Sequence, residues 1–360
     1  MGSRTWIIAE AGVNHNGSRD RALALVEAAA RAGADVVKFQ SFRADRLVTG
    51  TAATARYQKA AIGSDQSQYD MLRALELSEA DEAVIANACK RAGITFMSTP
   101  FDAESATHLV KTIGVATLKV GSGDLTNAPF LLHLARFDLP IVLSTGMSTL
   151  NDIEAALAVL AFGFINPGTG TPSAYDLSGA LNDPRAWPAL REKIVLLHCT
   201  TEYPASPASV NLRAMATMRE AFGLPVGFSD HTQGIHIPVA AVALGASVVE
   251  KHFTLDRNLP GPDHRASLEP SELAAMITAI RDIEQAMGDG RKVPAKEEMA
   301  NAPIARRSLV TLKPVRRGEV FTADNLGVKR PGSGVPPTRY WDFLGKPSDR
   351  DYAADEMIAS

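Results

Sequence analysis

Cysteine is nearly absent: the 360-residue chain has two, Cys89 and Cys199. That excludes a disulfide scaffold and an all-cysteine zinc cluster, and it fits a reducing compartment. An excess of one charge sign is also missing. Lys and Arg number 37 against 40 Asp and Glu, a net charge of −3, which argues against a dedicated nucleic-acid binder. No apolar stretch reaches the ~18 uninterrupted residues expected of a membrane span. The N-terminal apolar run extends only from Trp6 to Ala9 before Glu10 interrupts it, short of the about 7–15 residues of a secretory core. The expectation is a cytoplasmic protein without a membrane partner. No GxGxxG opens the first helical stretch and no Walker loop is present, which disfavours a dinucleotide or a nucleoside triphosphate.

What is present is a repeating order. Apolar residues make up 46% and charged residues 21%, enough for a large core. Short apolar runs occur at 5–12, 35–42, 94–101, 116–124, 140–147, 193–200, 225–232 and 247–254. Between them lie stretches with helical spacing, at 19–34, 79–93, 102–114, 151–163, 211–223, 235–246 and 271–288, most of them closed by Gly. Alternating strands and helices imply right-handed βαβ units and a parallel sheet. Eight such units predict an α/β fold of the (β/α)8 TIM-barrel type over residues 1–288, with a doubly wound open sheet as the rival. Residues 164–192, rich in Gly, Pro and Ser, read as an inserted loop with one short helix. Residues 289–302 read as a charged linker, and 303–360 as a small, mostly β domain.

In a parallel barrel the functional groups lie at the carboxyl ends of the strands. Here those ends carry Glu10, Asn14 and His15; Lys38 and Gln40; Ser98 and Thr99; Lys119, Ser122 and Asp124; Ser144 and Thr145. The later ends carry His198, Thr200, Thr201 and Tyr203; Ser229, Asp230 and His231; Glu250, Lys251 and His252. Lys38, Lys119 and Lys251 are read as sharing one face, where with the hydroxyls they would hold a phosphate or carboxylate. Each lysine taken alone is equally compatible with a structural ion pair, and Glu10 with being its partner. His15 and His198 are as compatible with satisfied core histidines as with a functional role. His231 and His252 end neighbouring strands, about 4.8 Å apart. They are compatible with one shared divalent ion, to which Glu10 would add an oxygen, or with hydrogen bonds to Asp230, Glu250 or Asp263.

In order along the chain stand IAEAGVNHNGS (8–18), VKFQSF (37–42), STPFD (98–102), KVGSGD (119–124), LSTGMS (143–148), LHCTTEYP (197–204), GFSDHT (227–232) and EKHFTLD (250–256). GPDHRASLEP (261–270), RRS (306–308) and VKRPG (328–332) follow. This series resembles the sialic (nonulosonic) acid synthase family across nearly the whole chain. The resemblance implies a (β/α)8 barrel followed by an antifreeze-like (β-clip) domain. It implies condensation of phosphoenolpyruvate with an open-chain N-acetylated amino sugar of the N-acetylmannosamine type, with water, to a nonulosonic acid and phosphate. It places a divalent ion, Mn²⁺ or alternatively Mg²⁺ or Co²⁺, on His231 and His252. Lys38, Thr99, Lys119, Ser122, Ser144, Thr201 and Ser229 fall at its phosphoenolpyruvate positions, and Asp124, Tyr203, Asp263 and Arg330 at its sugar positions. Glu10 becomes the candidate for proton transfer or for placing water. Arg330 implies a domain-swapped homodimer that lays this arginine over the partner's site.

Three departures bear on the sugar. Asp124 stands where users of N-acetylmannosamine carry Glu, Thr201 stands where Asn is common, and the 164–192 insertion is expected near the sugar side. A 2,4-diacetamido-dideoxy sugar, giving a legionaminic-type acid, is the alternative acceptor. Two other classes compete. A Schiff-base aldolase would use Lys38, Lys119 or Lys251 as nucleophile. A non-catalytic sugar- or ice-binding protein would leave the barrel face vestigial, against the intact set of Glu10, Lys38, Lys119, His231 and His252.

Overall fold

The computed structural model of the chain describes residues 4–50, 52, 67–168 and 170–359. They form two compact units, 1–288 and 289–360. In the first, the strands are β1 (Trp6–Gly12), β2 (Val36–Ser41), β3 (Thr95–Pro100), β4 (Leu118–Val120), β5 (Ile141–Ser144), β6 (Ile194–Cys199), β7 (Val226–Asp230) and β8 (Val248–His252). They make one sheet in the order β3-β2-β1-β8-β7-β6-β5-β4. The parallel pairing of β1 with β8, from Trp6 opposite Val248 to Glu10 opposite His252, joins first strand to last. β3 and β4 lie in contact without a hydrogen-bonded ladder, so the sheet is a nearly closed (β/α)8 barrel and not an open doubly wound sheet.

Side chains alternate between barrel interior and helical layer. Ile8, Val36, Met97, Val142, Leu197 and Val248 form an apolar floor inside the barrel. Their neighbours Ile7, Val37, Leu143, Leu196 and Val249 pack outward in the core beneath the helices. Two residues beyond each floor residue, on the same face, stand Glu10, Lys38, Thr99, Ser144, Cys199 and Glu250. The apolar floor therefore supports a polar layer at the carboxyl ends of the strands. Gly227 is needed in β7, because a Cβ there would meet Val248 O at 2.5 Å and Leu197 Cδ2 at 2.6 Å.

The helices follow local signals. Helix Arg19–Ala32 starts where Ser18 Oγ accepts from Arg21 N and ends at Gly33, in the left-handed region with φ 86°. Several elements differ from the sequence reading. The stretch 102–114 is helix Ala103–His108 continued by a π-turn, Leu109–Ile113. The stretch 211–223 begins with Asn211 at φ 51°, which separates helix Pro207–Val210 from helix Ala214–Phe222. Helix Ala128–Ala135 after β4, and helices Ala44–Leu47 and Gln68–Leu75 between β2 and β3, carry no earlier expectation. The insertion is not mostly loop. Helix Leu150–Ile165 runs into it, and helices Ala174–Gly179 and Ala186–Lys193 fill it, packing Leu177, Trp187 and Leu190 on the core.

Outside the barrel, Glu82 in helix Glu79–Ala92 is buried against β2. Its Oε1 accepts from Ser41 Oγ at 2.6 Å, and its Oε2 lies 3.4 Å from His108 Nε2. Burial pushes its carboxyl up to about 7, against the Ser41 hydrogen bond. A raised carboxyl pKa favours the folded state while the group is protonated. That advantage is complete below pH 4.5 and is lost as pH rises to about 7. Glu82→Gln, which cannot ionise, is expected to gain on the wild type by up to about 3 kcal/mol over that window. Urea midpoints of both proteins at pH 5 and pH 8 check this; parallel shifts would refute it.

In the second unit, β9 (Ser308–Thr311) pairs antiparallel with β10 (Leu326–Lys329). Leu309, Val315, Phe321, Leu326 and Tyr352 belong to its own small core. Short helix Lys296–Met299 lies within the segment expected to be a linker, and helix Ala302–Ala305 starts at its end.

Candidate active site

The polar layer opens into a cavity of about 380 Å³ at the carboxyl ends of the barrel strands. Lys38 Nζ lies 2.6 Å from Glu10 Oε2 and 3.6 Å from Glu250 Oε2, and it donates to Thr99 Oγ1 at 2.9 Å. Lys119 Nζ donates to Ser144 Oγ at 2.7 Å and to the Val120 carbonyl at 2.9 Å. It stands 3.9 Å from Glu250 Oε1, which also accepts from Ser229 Oγ at 2.9 Å. Glu250 thus sits between the two buried ammonium groups. On the far side, Gln40 Nε2 donates to Glu10 Oε1 at 3.2 Å.

Burial sets the protonation of these groups. It would raise the Glu250 carboxyl, but Lys119 and Lys38 outweigh it and hold the group down at about 2. Burial pushes Glu10 up to about 7, more than Lys38 pulls it down. It would lower Lys38, but Glu10 and Glu250 reverse this and raise it. It lowers Lys119, with Glu250 acting in opposition. The site therefore holds one firmly ionised carboxylate between two lysines and one carboxyl able to exchange a proton near neutral pH.

The imidazoles of His231 and His252 face each other with ring centroids 5.6 Å apart. His231 Nδ1 donates to the Thr200 carbonyl at 2.6 Å, which leaves Nε2 as the unprotonated nitrogen. Among the described residues His252 Nδ1 has no hydrogen-bond partner; it is buried 4.0 Å from Asp263 Oδ2. Burial keeps both imidazoles neutral and pushes Asp263 up to about 6. The Tyr203 ring packs on both, with centroids at 4.0 Å from His231 and 5.6 Å from His252. Around the rim Ser122, Cys199 and Thr201 converge on Gly146, where a Cβ would lie 2.3 Å from Thr201 Oγ1. Ser122 Oγ accepts from Gly146 N at 3.0 Å.

Most residues singled out in the sequence line this one cavity: Glu10, Lys38, Thr99, Lys119, Ser122, Ser144, Thr201, Tyr203, Ser229, His231, His252 and Asp263. Others do not. Lys251 does not share the face of Lys38 and Lys119. It stands between Glu250 and His252, so the alternation turns it to the opposite side of β8, where its Nζ meets Asp230 Oδ2 at 2.6 Å. Asp230 lies outward for the same reason. His198 Nε2 donates to the Val210 carbonyl at 2.6 Å; His15 Nδ1 accepts from Gly17 N at 3.0 Å, while its Nε2 is buried without a hydrogen-bond partner among the described residues, and neither imidazole lines the cavity. Asp124 lies in a 3₁₀ turn, Ser122–Asp124, where it accepts from Asn127 Nδ2 at 3.0 Å and does not line the cavity. No described residue of 164–192 lines it either. Arg330 lies in the second unit and is exposed. Glu10 is engaged by Lys38 and Gln40, and among the described residues no group of three or more His, Cys, Asp or Glu side chains is set to hold a metal ion. Glu250 and Gln40, given no role of their own by the sequence, also line the cavity. The signal was their even spacing from His252 and Lys38.

A parallel barrel with a lysine pair and two neutral imidazoles at its carboxyl end defines an enzyme for a small, highly charged anion. The NeuB family model matches residues 25–292, and the SAF domain model matches residues 306–359. The chain belongs to the NeuB family. It is 48% identical to N,N'-diacetyllegionaminic acid synthase of Campylobacter jejuni over 99% of both chains. It is 43% identical to the Legionella pneumophila protein of the same name, over 94% of this chain and 89% of that one. The crystal structure of the N-acetylneuraminic acid (sialic acid) synthetase of Leptospira borgpetersenii superposes with a TM-score of 0.66 at 30% identity, covering 83% of this chain and 90% of that one.

Proposed function

We propose that the protein condenses phosphoenolpyruvate with an open-chain, 2,4-diacetamido sugar and water, giving a legionaminic-type nonulosonic acid and phosphate. The observation that carries the reading is the Lys38–Glu250–Lys119 cluster beside two neutral imidazoles in one cavity. The diacetamido acceptor, rather than N-acetylmannosamine, rests on the two legionaminic acid synthases at 48% and 43% identity.

Lys38 and Lys119, with the hydroxyls of Thr99, Ser144 and Ser229, bind the phosphate and carboxylate of phosphoenolpyruvate by charge-assisted hydrogen bonds. Carbon C3 of the bound enol attacks the sugar aldehyde carbon, leaving a cation at C2. Water adds there, and the tetrahedral intermediate expels phosphate. Glu10, with its carboxyl raised to about 7, takes the proton from that water or gives one to the new alkoxide. His231 and His252 would hold a divalent cation, Mn²⁺ foremost with Mg²⁺ or Co²⁺ as alternatives: the Thr200 carbonyl fixes one tautomer and burial keeps both rings neutral. When bound, that cation supplies Lewis-acid polarisation of the sugar carbonyl. A Schiff-base route is disfavoured at Lys38, whose amine is held protonated by Glu10 and Glu250.

The test is turnover of phosphoenolpyruvate with Mn²⁺ and a panel of 2-acetamido sugars, reading released phosphate and product mass. No phosphate release with any of them refutes the reading. Arg330 is assigned to closing the site of a second subunit in a domain-swapped homodimer. Losing one charge-assisted contact makes Arg330→Ala about tenfold lower in kcat/KM. Unchanged kcat/KM would remove the arginine from the site.

A further inference from the structure

The cavity has two chemically different sides. Its floor carries the lysines, carboxylates and imidazoles. One wall is apolar, formed by Leu47, Val48, Met71, Leu72, Leu75 and Phe101. Three of these belong to helix Gln68–Leu75. Gln68, Met71, Leu72 and Leu75 are spaced by three, one and three residues, so a single helix face is turned to the cavity. The helix is anchored. Ser67 Oγ caps it by accepting from Asp70 N at 3.1 Å, and Met71 and Leu75 are buried with Val13 and Phe42. Leu47, Leu72 and Phe101 pack around them half-buried, with part of their surface left to the cavity. Gln68 is the one polar lining residue that this helix supplies.

Phosphoenolpyruvate does not belong against this wall. It is small and multiply charged, its partners are the lysines of the floor, and a charged oxygen against Leu47 or Leu72 would be stripped of water without gaining a partner. The wall therefore faces the acceptor. Most carbons of a sugar carry hydroxyls, and a hydroxyl set here would meet the same penalty. A methyl group would gain by leaving water. We infer that the Leu47, Val48 and Leu72 wall selects the deoxygenated end of the acceptor, a C6 methyl in place of a C6 hydroxyl, together with an acetamido methyl. The inference rests on the diacetamido acceptor proposed above and names the residues that enforce it.

The test compares kcat/KM for three acceptors at saturating phosphoenolpyruvate: a 2,4-diacetamido-2,4,6-trideoxy sugar, 2-acetamido-2,6-dideoxymannose and N-acetylmannosamine. The last two differ only in the C6 oxygen, so their ratio reads the wall directly. A ratio of roughly tenfold to hundredfold in favour of the 6-deoxy sugar is expected, in line with what an apolar pocket achieves against one added hydroxyl. Leu72→Asn and Val48→Thr, near-isosteric changes at half-buried positions, should each lower that ratio at least threefold, and Leu72→Met should keep it. A wild-type ratio near one, or a ratio unchanged in both polar variants, overturns the inference. A wild-type enzyme that prefers N-acetylmannosamine to the diacetamido sugar while keeping the 6-deoxy preference overturns the acceptor reading alone and leaves the wall's selectivity standing.

Discussion

His252→Ala is expected to lower turnover by at least about a thousandfold, with His231→Ala equal to it, while the barrel stays folded. Polarisation of a carbonyl by a bound cation contributes several kcal/mol to a barrier, and each 1.36 kcal/mol is about tenfold in rate. The two rings face each other at 5.6 Å, and among the described residues no third His, Cys, Asp or Glu completes a ligand set. Under the proposed metal assignment, losing one imidazole of two removes half of the protein's ligands to the ion. The measurement is phosphate release at saturating phosphoenolpyruvate with added Mn²⁺, beside Mn²⁺ affinity by calorimetry and far-ultraviolet circular dichroism. Loss of both turnover and Mn²⁺ affinity with a native spectrum is the expected outcome. Dialysis of the wild type against EDTA should remove activity, and Mn²⁺ should restore it. Normal turnover in either variant would defeat the metal assignment.

The same pair of histidines shows how far the sequence reads the site. His231 and His252 were visible because each closes an apolar run and follows an even step from Ser229 and Glu250. The barrel was visible because its strands are continuous apolar runs separated by capped helices. Which side a strand residue faces is decided by parity, and parity needs the register. Lys251 looked equivalent to Lys119 until the alternation of β8 placed it with Asp230 in the outer layer. Helix Gln68–Leu75 was missed because eight residues give barely two turns of periodicity. Over 164–192 the Gly, Pro and Ser favour a loop with one short helix and outweigh the apolar residues of AYDLSG and AWPALREK, which pack as two helices. Asp124 drew attention through its residue type, yet it is the geometry of the 3₁₀ turn that engages it with Asn127.

Lys119 and Lys251 supply the sharpest contrast, since both are buried lysines on barrel strands with carboxylate neighbours. Lys119→Met is expected to lower kcat/KM for phosphoenolpyruvate about a hundredfold, the loss of one strong charge-assisted contact to the anion. Its stability should change little, because methionine fills the space and Glu250 keeps Lys38 at 3.6 Å. Lys251→Met should do the reverse. It leaves Asp230, fully buried and, among the described residues, otherwise bonded only to Thr232, as an unpaired charge in the wall between β7 and β8. Breaking a buried pair in this way costs about 3–5 kcal/mol, so the melting temperature should fall by roughly 10 °C. The KM for phosphoenolpyruvate of the folded fraction should stay near the wild-type value, because Lys251 has no group in the cavity. Thermal melts and initial rates on the two variants separate the roles. A Lys251 variant that loses phosphoenolpyruvate affinity as severely as the Lys119 variant would mean that strand parity does not divide chemistry from scaffold in this barrel.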